Sequence, residues 1–250
     1  MKTSVLSSGS KGNCLYVEVK NHKILIDIGT TCLYIENTLK ELDVDPKDID
    51  IVLVTHAHKD HIGGLQVFVK KYNPLVYITE KIEKEAKLNL ENKIYFSSKI
   101  TIDELVITPI KTSHDVTDSY GYILEESGCS LVYITDTGYI NKKYFDVLKN
   151  KNMYIFESNH DVTKLMNNPK YPYHIKIRIL SDKGHLSNED SAYYLSEFIG
   201  SNTKRVILAH LSEENNEESL AINTLKNIIK KDIQIQVARQ NEKTELMEVW

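Results

Sequence analysis

Residues 49–54 read IDIVLV and residues 55–61 read THAHKDH. The first stretch, dense in β-branched residues and leucine, is the pattern of a buried strand. The second places three histidines and an aspartate on the turn that follows it. A strand of this kind must lie inside a sheet, so the cluster sits where a core strand ends. Open α/β architectures place chemistry there, because the strand holds the backbone while the loop aims side chains. The chain has nine histidines in 250 residues, so H-x-H-x-D-H is improbable as an accident of composition. The cluster reads as a metal site rather than an ornamental loop.

The same punctuation recurs along the chain. Asp27 closes ILID, His114 follows ELVITPIKTS, Asp136 closes VYITD and His210 closes VILAH. Any one of these alone is more often a satisfied turn residue. Together with THAHKDH, five apolar runs end in such a group, which brings the side chains to one edge of the sheets. Imidazole and carboxylate without thiolate suit zinc, manganese or iron. Seven such groups, His56, His58, Asp60, His61, His114, Asp136 and His210, exceed what one tetrahedral ion takes, and two ions sharing a carboxylate fit the count.

Short strand patterns dominate the first half: SVL, CLYVEV, KILIDI, DIVLV, LVYIT, ELVITPI, YGYILEE and SLVYIT. Helical patterns fall at about 31–42, 61–72, 80–90 and 141–150. Beyond them come MYIF, helices near 159–167 and 188–200, the strand RVILA, a polar helix near 216–230, and QIQVA. No linker, low-complexity tract or repeat divides the chain. The expected architecture is α/β, two mixed β-sheets packed face to face with helices on the outer faces, in one domain over 1–250. A hydrophobic fraction of 41% and a charged fraction of 26% are ordinary for a globular protein. The N-terminus lacks an apolar signal core and no run approaches the ~18 residues of a membrane span, so a cytoplasmic location is expected. Cys14, Cys32 and Cys129 form no C-x-x-C pair and read as packing residues. A net charge of −4 is not the footprint of a general nucleic-acid binder.

THAHKDH, the downstream His114, the D-T-G aspartate and the A-H-L-S histidine resemble, in order and spacing, the metallo-β-lactamase superfamily, an αββα sandwich with a dinuclear site between its sheet edges. The resemblance implies that His56, His58 and His114 hold one ion and that Asp60, His61 and His210 hold the other. Asp136 would bridge them, and Asp27 would brace the site from its strand. Asp136 stands where the best-known zinc β-lactamases use cysteine, which argues against an antibiotic hydrolase. Only 74 positions separate Asp136 from His210, too few for the inserted domain of the RNase J and CPSF-type nucleases. About 40 residues follow His210, short of the helical substrate domain of glyoxalase II.

Four further segments, SSGSKGNC at 7–14, FESNHD at 156–161, YPYHIKIRI at 171–179 and GHLSNED at 184–190, resemble the YycJ/WalJ group of this superfamily, whose characterised members act as DNA exonucleases linked to repair. Glu157 and His185 also match positions of the tRNase Z enzymes, where a histidine donates a proton. The resemblance therefore implies a two-metal phosphodiesterase with Asp60, Glu157 and His185 as catalytic residues and DNA rather than RNA as substrate. The bland reading of Glu157 and His185 is a hydrogen-bonded pair that braces a loop. A helix capped within SNED would aim its N-terminal dipole at His185 and favour an anion there. Lys164, Lys170, Lys176, Arg178 and Lys183 form a basic strip with no acidic residue before Asp182. That strip is either a solvated face or a track for phosphates. Ser8, Ser10, Asn13, Asn159, Lys176, Arg178 and Ser187 are the candidate substrate contacts. Hydrolysis of a small ester, thioester or lactam on the same metals is the alternative activity, and a non-catalytic binding role is the third reading.

Overall fold

The apolar runs become strands, and the strands sort into two mixed sheets built on the same plan. In the computed structural model, which describes residues 1–250, β1 (Lys2–Ser7), β2 (Cys14–Glu18) and β3 (Lys23–Ile26) pair as an antiparallel meander. On to it β4 (Ile51–Leu53), β5 (Leu75–Ile78) and β6 (Lys93–Tyr95) are added in parallel. The second sheet repeats the scheme. Strands β7 (Ile100–Ile102), β8 (Leu105–Lys111), β9 (Tyr120–Glu126) and β10 (Cys129–Ile134) are antiparallel. They are followed in parallel by β11 (Met153–Glu157), β12 (Arg205–Ala209) and β13 (Gln234–Val237). A final strand, β14 (Met247–Glu248), returns to β1, so each sheet has seven strands and is mixed.

Parallel neighbours need crossover connections, and these supply the outer helices. Helices α1 (Cys32–Lys40), α2 (Lys59–Ile62), α3 (Leu65–Tyr72) and α4 (Glu80–Ala86) follow β3, β4 and β5. On the other side lie α5 (Phe145–Leu148), α6 (Val162–Asn167), α7 (Tyr173–Ile179), α8 (Asn188–Phe198) and α9 (Glu218–Ile228). Three buried clusters define four layers. One of 24 residues, including Leu15, Ile26, Leu124 and Ile155, lies between the sheets. A second packs Ile35, Leu39, Leu65 and Phe68 of α1 and α3 beneath the first sheet. The third packs Ala192, Leu195 and Phe198 of α8 and Leu225 of α9 against the second. This is the expected αββα sandwich. No helix is long and apolar enough to cross a membrane.

Local structure departs from the sequence reading at a few places. The helix expected over 61–72 begins at Lys59 and is divided at Gly63–Gly64. The helix expected from 159 starts at Val162, because His160 first forms a β-bridge with Ser187. Strands β6 and β7, three residues each, are too short to stand out. Residues 173–179 form α7 although IKIRI alternates as a strand would; the segment has no buried residue and no sheet edge to join. Cys14 and Cys32 are buried and all three cysteines are free thiols.

Candidate metal centre

The parallel half of each sheet aligns the carboxyl ends of its strands on one side, and the candidate residues hang from those ends. Asp27 follows β3, THAHKDH follows β4, Asp136 follows β10, Glu157 ends β11 and His210 follows β12. His114 comes from the loop after β8. Three of these residues adopt left-handed backbone, Asp27 at φ 62°, Asp136 at φ 56° and His210 at φ 57°. That conformation is uncommon for residues with a Cβ, and it turns the chain sharply out of the strand.

Two groups of side chains converge, His56 with His58 and His114, and Asp60 with His61, Asp136 and His210; within each, one potential ligand atom per residue lies within 4.8 Å of the others. Asp136 stands between them, with its Oδ2 2.9 Å from His61 Nε2 and its Oδ1 3.7 Å from His114 Nε2. Four of the five imidazoles in these two groups share one orientation. Nδ1 of His61 meets Asp27 at 2.7 Å, Nδ1 of His210 meets Glu157 at 3.0 Å, Nδ1 of His114 meets the Gly184 carbonyl at 3.2 Å, and Nδ1 of His56 meets Thr55 Oγ1 at 3.0 Å. Each of these four rings is thus held by Nδ1 and presents Nε2 inward, the arrangement by which outer partners orient metal-binding histidines, whereas His58 turns Nδ1 to His114 Nε2 at 3.2 Å and Nε2 toward Asp115 at 3.6 Å. Nε2 of His56 and of His210 is buried without a hydrogen-bond partner. Buried imidazole nitrogens are rarely left so unless something outside the chain binds them, and the donor set suits a divalent transition ion.

The electrostatics agree with that fit. Burial disfavours charge on His61 and His210, but Asp136 outweighs it with help from Asp27 at His61 and from Asp60 and Glu157 at His210; His61 is raised well above the usual range and His210 to about 10. Burial, helped by neighbouring imidazoles, lowers the proton affinities of His56 and His114 against the pull of Asp136. Burial opposes ionisation of Glu157, yet His185 and His210 hold its carboxyl at about 2. The anionic carboxylates are therefore neutralised by protonated imidazoles, and a cation would replace those protons.

Glu157, Asp136, His185 and His210 form a third group within the same 4.8 Å limit. Glu157 accepts four bonds: Oε1 from His185 Nδ1 at 2.8 Å and His210 Nδ1 at 3.0 Å, and Oε2 from the amides of Thr137 at 3.0 Å and Leu186 at 3.2 Å. A carboxylate has roughly four acceptor sites, so Glu157 is saturated by the protein and serves as an organiser. His185 keeps Nε2 free, and its side chain is 18% exposed while Glu157 is fully buried.

The candidate substrate contacts fare differently. Ser8 Oγ accepts the His210 amide at 2.8 Å. Asn13 Nδ2 reaches His61 Nε2 at 3.0 Å and Asp60 Oδ2 at 3.3 Å, and Asn159 Nδ2 donates to the His210 carbonyl at 2.8 Å. All three support ligand-bearing loops, whereas Ser10 is exposed. The anion site expected at the start of α8 is corrected by its surroundings. Ser187 Oγ takes the Asp190 amide at 3.0 Å and bonds the Asp190 carboxylate at 2.8 Å, the Leu186 and Asn188 amides serve Glu157 and the His160 carbonyl, and Glu189 and Asp190 make the first turn acidic. The basic strip is largely paired as well. Lys164 meets Glu217, Lys170 meets Glu214 at 2.8 Å, and Lys176 Nζ donates to the Met166 carbonyl at 2.6 Å. Arg178 Nε lies 3.0 Å from Asp115, whose other oxygen is 3.4 Å from His114 Nε2 and 3.6 Å from His58 Nε2. Asp115, Thr55 and Thr137 escaped the sequence reading because nothing in a strand pattern marks the residue beside a ligand as its support.

Residues 8–210 match the Metallo-beta-lactamase superfamily. The chain belongs to that superfamily and is a metal-dependent hydrolase. Within it the chain is similar to Exodeoxyribonuclease YycJ of Bacillus anthracis, 39% identical over 225 residues that cover 87% of this chain and 85% of that protein. Exodeoxyribonuclease WalJ of Streptococcus pneumoniae is 37% identical over 235 residues, 90% of this chain and 87% of the relative. The crystal structure of the metallo-beta-lactamase fold protein YhfI from Bacillus subtilis superposes with a TM-score of 0.76 at 17% identity, covering 98% of this chain and 99% of that one.

Proposed function

We propose that the chain is a two-metal phosphodiesterase that degrades DNA from an end, in the service of DNA repair. His56, His58 and His114 would hold one divalent ion and Asp60, His61 and His210 the other, with Asp136 shared and zinc or manganese preferred over iron. When bound, such a pair supplies a water acidic enough to ionise near neutrality and neutralises charge on a phosphate. Asp27 keeps the His61 ring in register through Nδ1. Asp60, whose side chain is 22% exposed, is the carboxylate placed to orient the attacking water. His185 donates from Nε2 to the departing 3′ oxygen, and Glu157 steadies the protonated ring through Nδ1.

The observation that carries this reading is the Glu157–His185 pair beside the two clusters, since an ordinary phosphodiester needs a protonated leaving group whereas a thiolate departs from a thioester without one. The exodeoxyribonuclease activity for which the two relatives are named supports DNA as the polymer. The test is to incubate metal-loaded protein with end-labelled single- and double-stranded DNA and RNA. Progressive release of mononucleotides from DNA is expected. Faster turnover of a chromogenic lactam or of lactoylglutathione than of any polynucleotide would sink the proposal.

A further inference from the structure

Beside the metal centre lies a pocket that none of its ligands enters. It has a volume of about 240 Å³ and is lined by Lys111, Ser113, Tyr139, Asn141, Lys143 and Tyr144, with Thr112 at its base. Its wall is shared with the centre. The Ser113 amide donates to Thr137 Oγ1 at 3.1 Å, the Gly138 amide donates to the Ser113 carbonyl at 2.9 Å, and Thr137 Oγ1 donates to the Tyr139 carbonyl at 2.7 Å. Ser113 directly precedes His114, and the Thr137 amide holds Glu157 on the other side of the same wall. The pocket and the centre are therefore built on the same two segments, Ser113–His114 and Asp136–Tyr139.

The lining has a defined chemistry. It contains two lysines, two tyrosines, an asparagine and a serine, and no carboxylate. Lys111 is committed to Asp118. Lys143 has no carboxylate partner; its ammonium lies 4.8 Å over the Tyr144 ring. Tyr139 is 40% exposed, an apolar face left open at the mouth of the pocket. An unpaired cation next to one exposed aromatic ring, Tyr139, fits an anion joined to a planar ring, the combination by which single-stranded nucleic acid is held. A pocket of about 240 Å³ takes at most one nucleotide of a strand and has no room for a base pair.

Resting on the phosphodiesterase reading, we infer that this pocket is a subsite for the unpaired nucleotide next to the scissile bond, its phosphate on Lys143 and its base on Tyr139. The substrate end is accordingly single-stranded where it enters, and hydrolysis of a polymer draws on contacts that a small diester cannot reach. Lys143 and Tyr139 are positioning residues for the polymer.

The test compares KM for an end-labelled oligothymidylate with KM for bis-p-nitrophenyl phosphate in metal-loaded wild type, Lys143→Ala, Lys143→Arg, Tyr139→Ala and Tyr139→Phe. The alanine variants should raise the oligonucleotide KM by about tenfold more than that of the small diester, the scale of one stacking or phosphate contact. The Arg and Phe variants should stay near wild type, since they keep the cation and the ring. Lys143→Ala should also flatten the salt dependence of oligonucleotide binding by roughly 0.7 in log–log slope, one contact on a single strand. Equal changes on both substrates, or none on either, overturn the subsite while leaving the nuclease reading intact. A wild type that hydrolyses the small diester but no polynucleotide overturns the nuclease reading and the subsite with it.

Discussion

On the proposed reading, Asp136 and His185 each rest chemistry on a single side chain whose backbone is already committed. Asp136 reaches toward both clusters from a left-handed residue that the end of β10 holds in place. Protein purified without chelator should therefore approach two transition metals per chain by elemental analysis, and Asp136→Ala should lose both, because the shared carboxylate serves both. A variant that keeps full metal content would refute the assignment. For His185, alanine should leave metal content unchanged while lowering kcat on DNA by roughly 10²–10⁴, the range for losing a general acid. On a substrate whose leaving group is p-nitrophenolate, which departs without a proton, the variant should recover most of the wild-type rate. An equally deep defect there would make His185 a positioning group, and lost metal would make it a ligand.

At the scale of elements, the loop after β3 and helix α2 must touch along their backbones for Asp60 and His61 to reach the centre. From that loop the Ile28 amide donates to the His61 carbonyl at 2.9 Å and the Ile28 carbonyl accepts the Gly64 amide at 2.8 Å, while from the β1–β2 connection the Asn13 amide donates to the Asp60 carbonyl at 2.7 Å. Gly29 lies inside this contact, and a Cβ there would fall 1.7 Å from the Asp60 carbonyl oxygen. Gly29→Ala must push α2 outward. Overpacking of this kind costs about 1–3 kcal/mol, which for a chain of this size lowers Tm by roughly 2–12 °C. Metal titration should show weakened binding as well, since two ligands move with the helix. Unchanged Tm and metal affinity would mean the loop relaxes without disturbing the site.

On the scale of the whole molecule, the centre exists only while the two sheets stay in register. His56, His58, Asp60 and His61 come from the first sheet, and His114, Asp136 and His210 from the second. The sheets are tied at that edge by the Tyr122 hydroxyl, which donates to the Val54 carbonyl at 2.6 Å, and by the Tyr120 amide, which donates to the Thr55 carbonyl at 3.1 Å. Tyr122 is fully buried in the layer between the sheets. Tyr122→Phe keeps the ring and removes the tie, and should cost about 1–2 kcal/mol. Thermal melts with and without metal separate two effects: the drop in chelator reports the lost bond, and a smaller metal-induced rise in Tm reports a looser centre. An unaltered metal-induced rise would show that the remaining backbone tie suffices.

The sequence by itself determined the class of fold and the identity of the residues that converge. Five apolar runs, each ended by a histidine or aspartate, need no tertiary knowledge to be read as sheet edges bearing ligands, because strand periodicity and side-chain chemistry are local. Glu157 and His185 were legible only through resemblance, since nothing in FESNHD or GHLSNED taken alone places one against the other. What the tertiary structure decided was the use of groups whose roles depend on neighbours far away in the chain. The start of α8 looked like an anion site until Glu157, His160 and Asp190 were seen to take its donors. The basic strip looked free until Glu214, Glu217 and Asp115 arrived from other segments to pair with it. Conversely Lys143, unremarked in sequence, emerged as an unpaired cation because the fold carries no carboxylate to its pocket. Hydrophobic patterning is written residue by residue, whereas whether a polar group is spent or available is settled by what folding brings beside it.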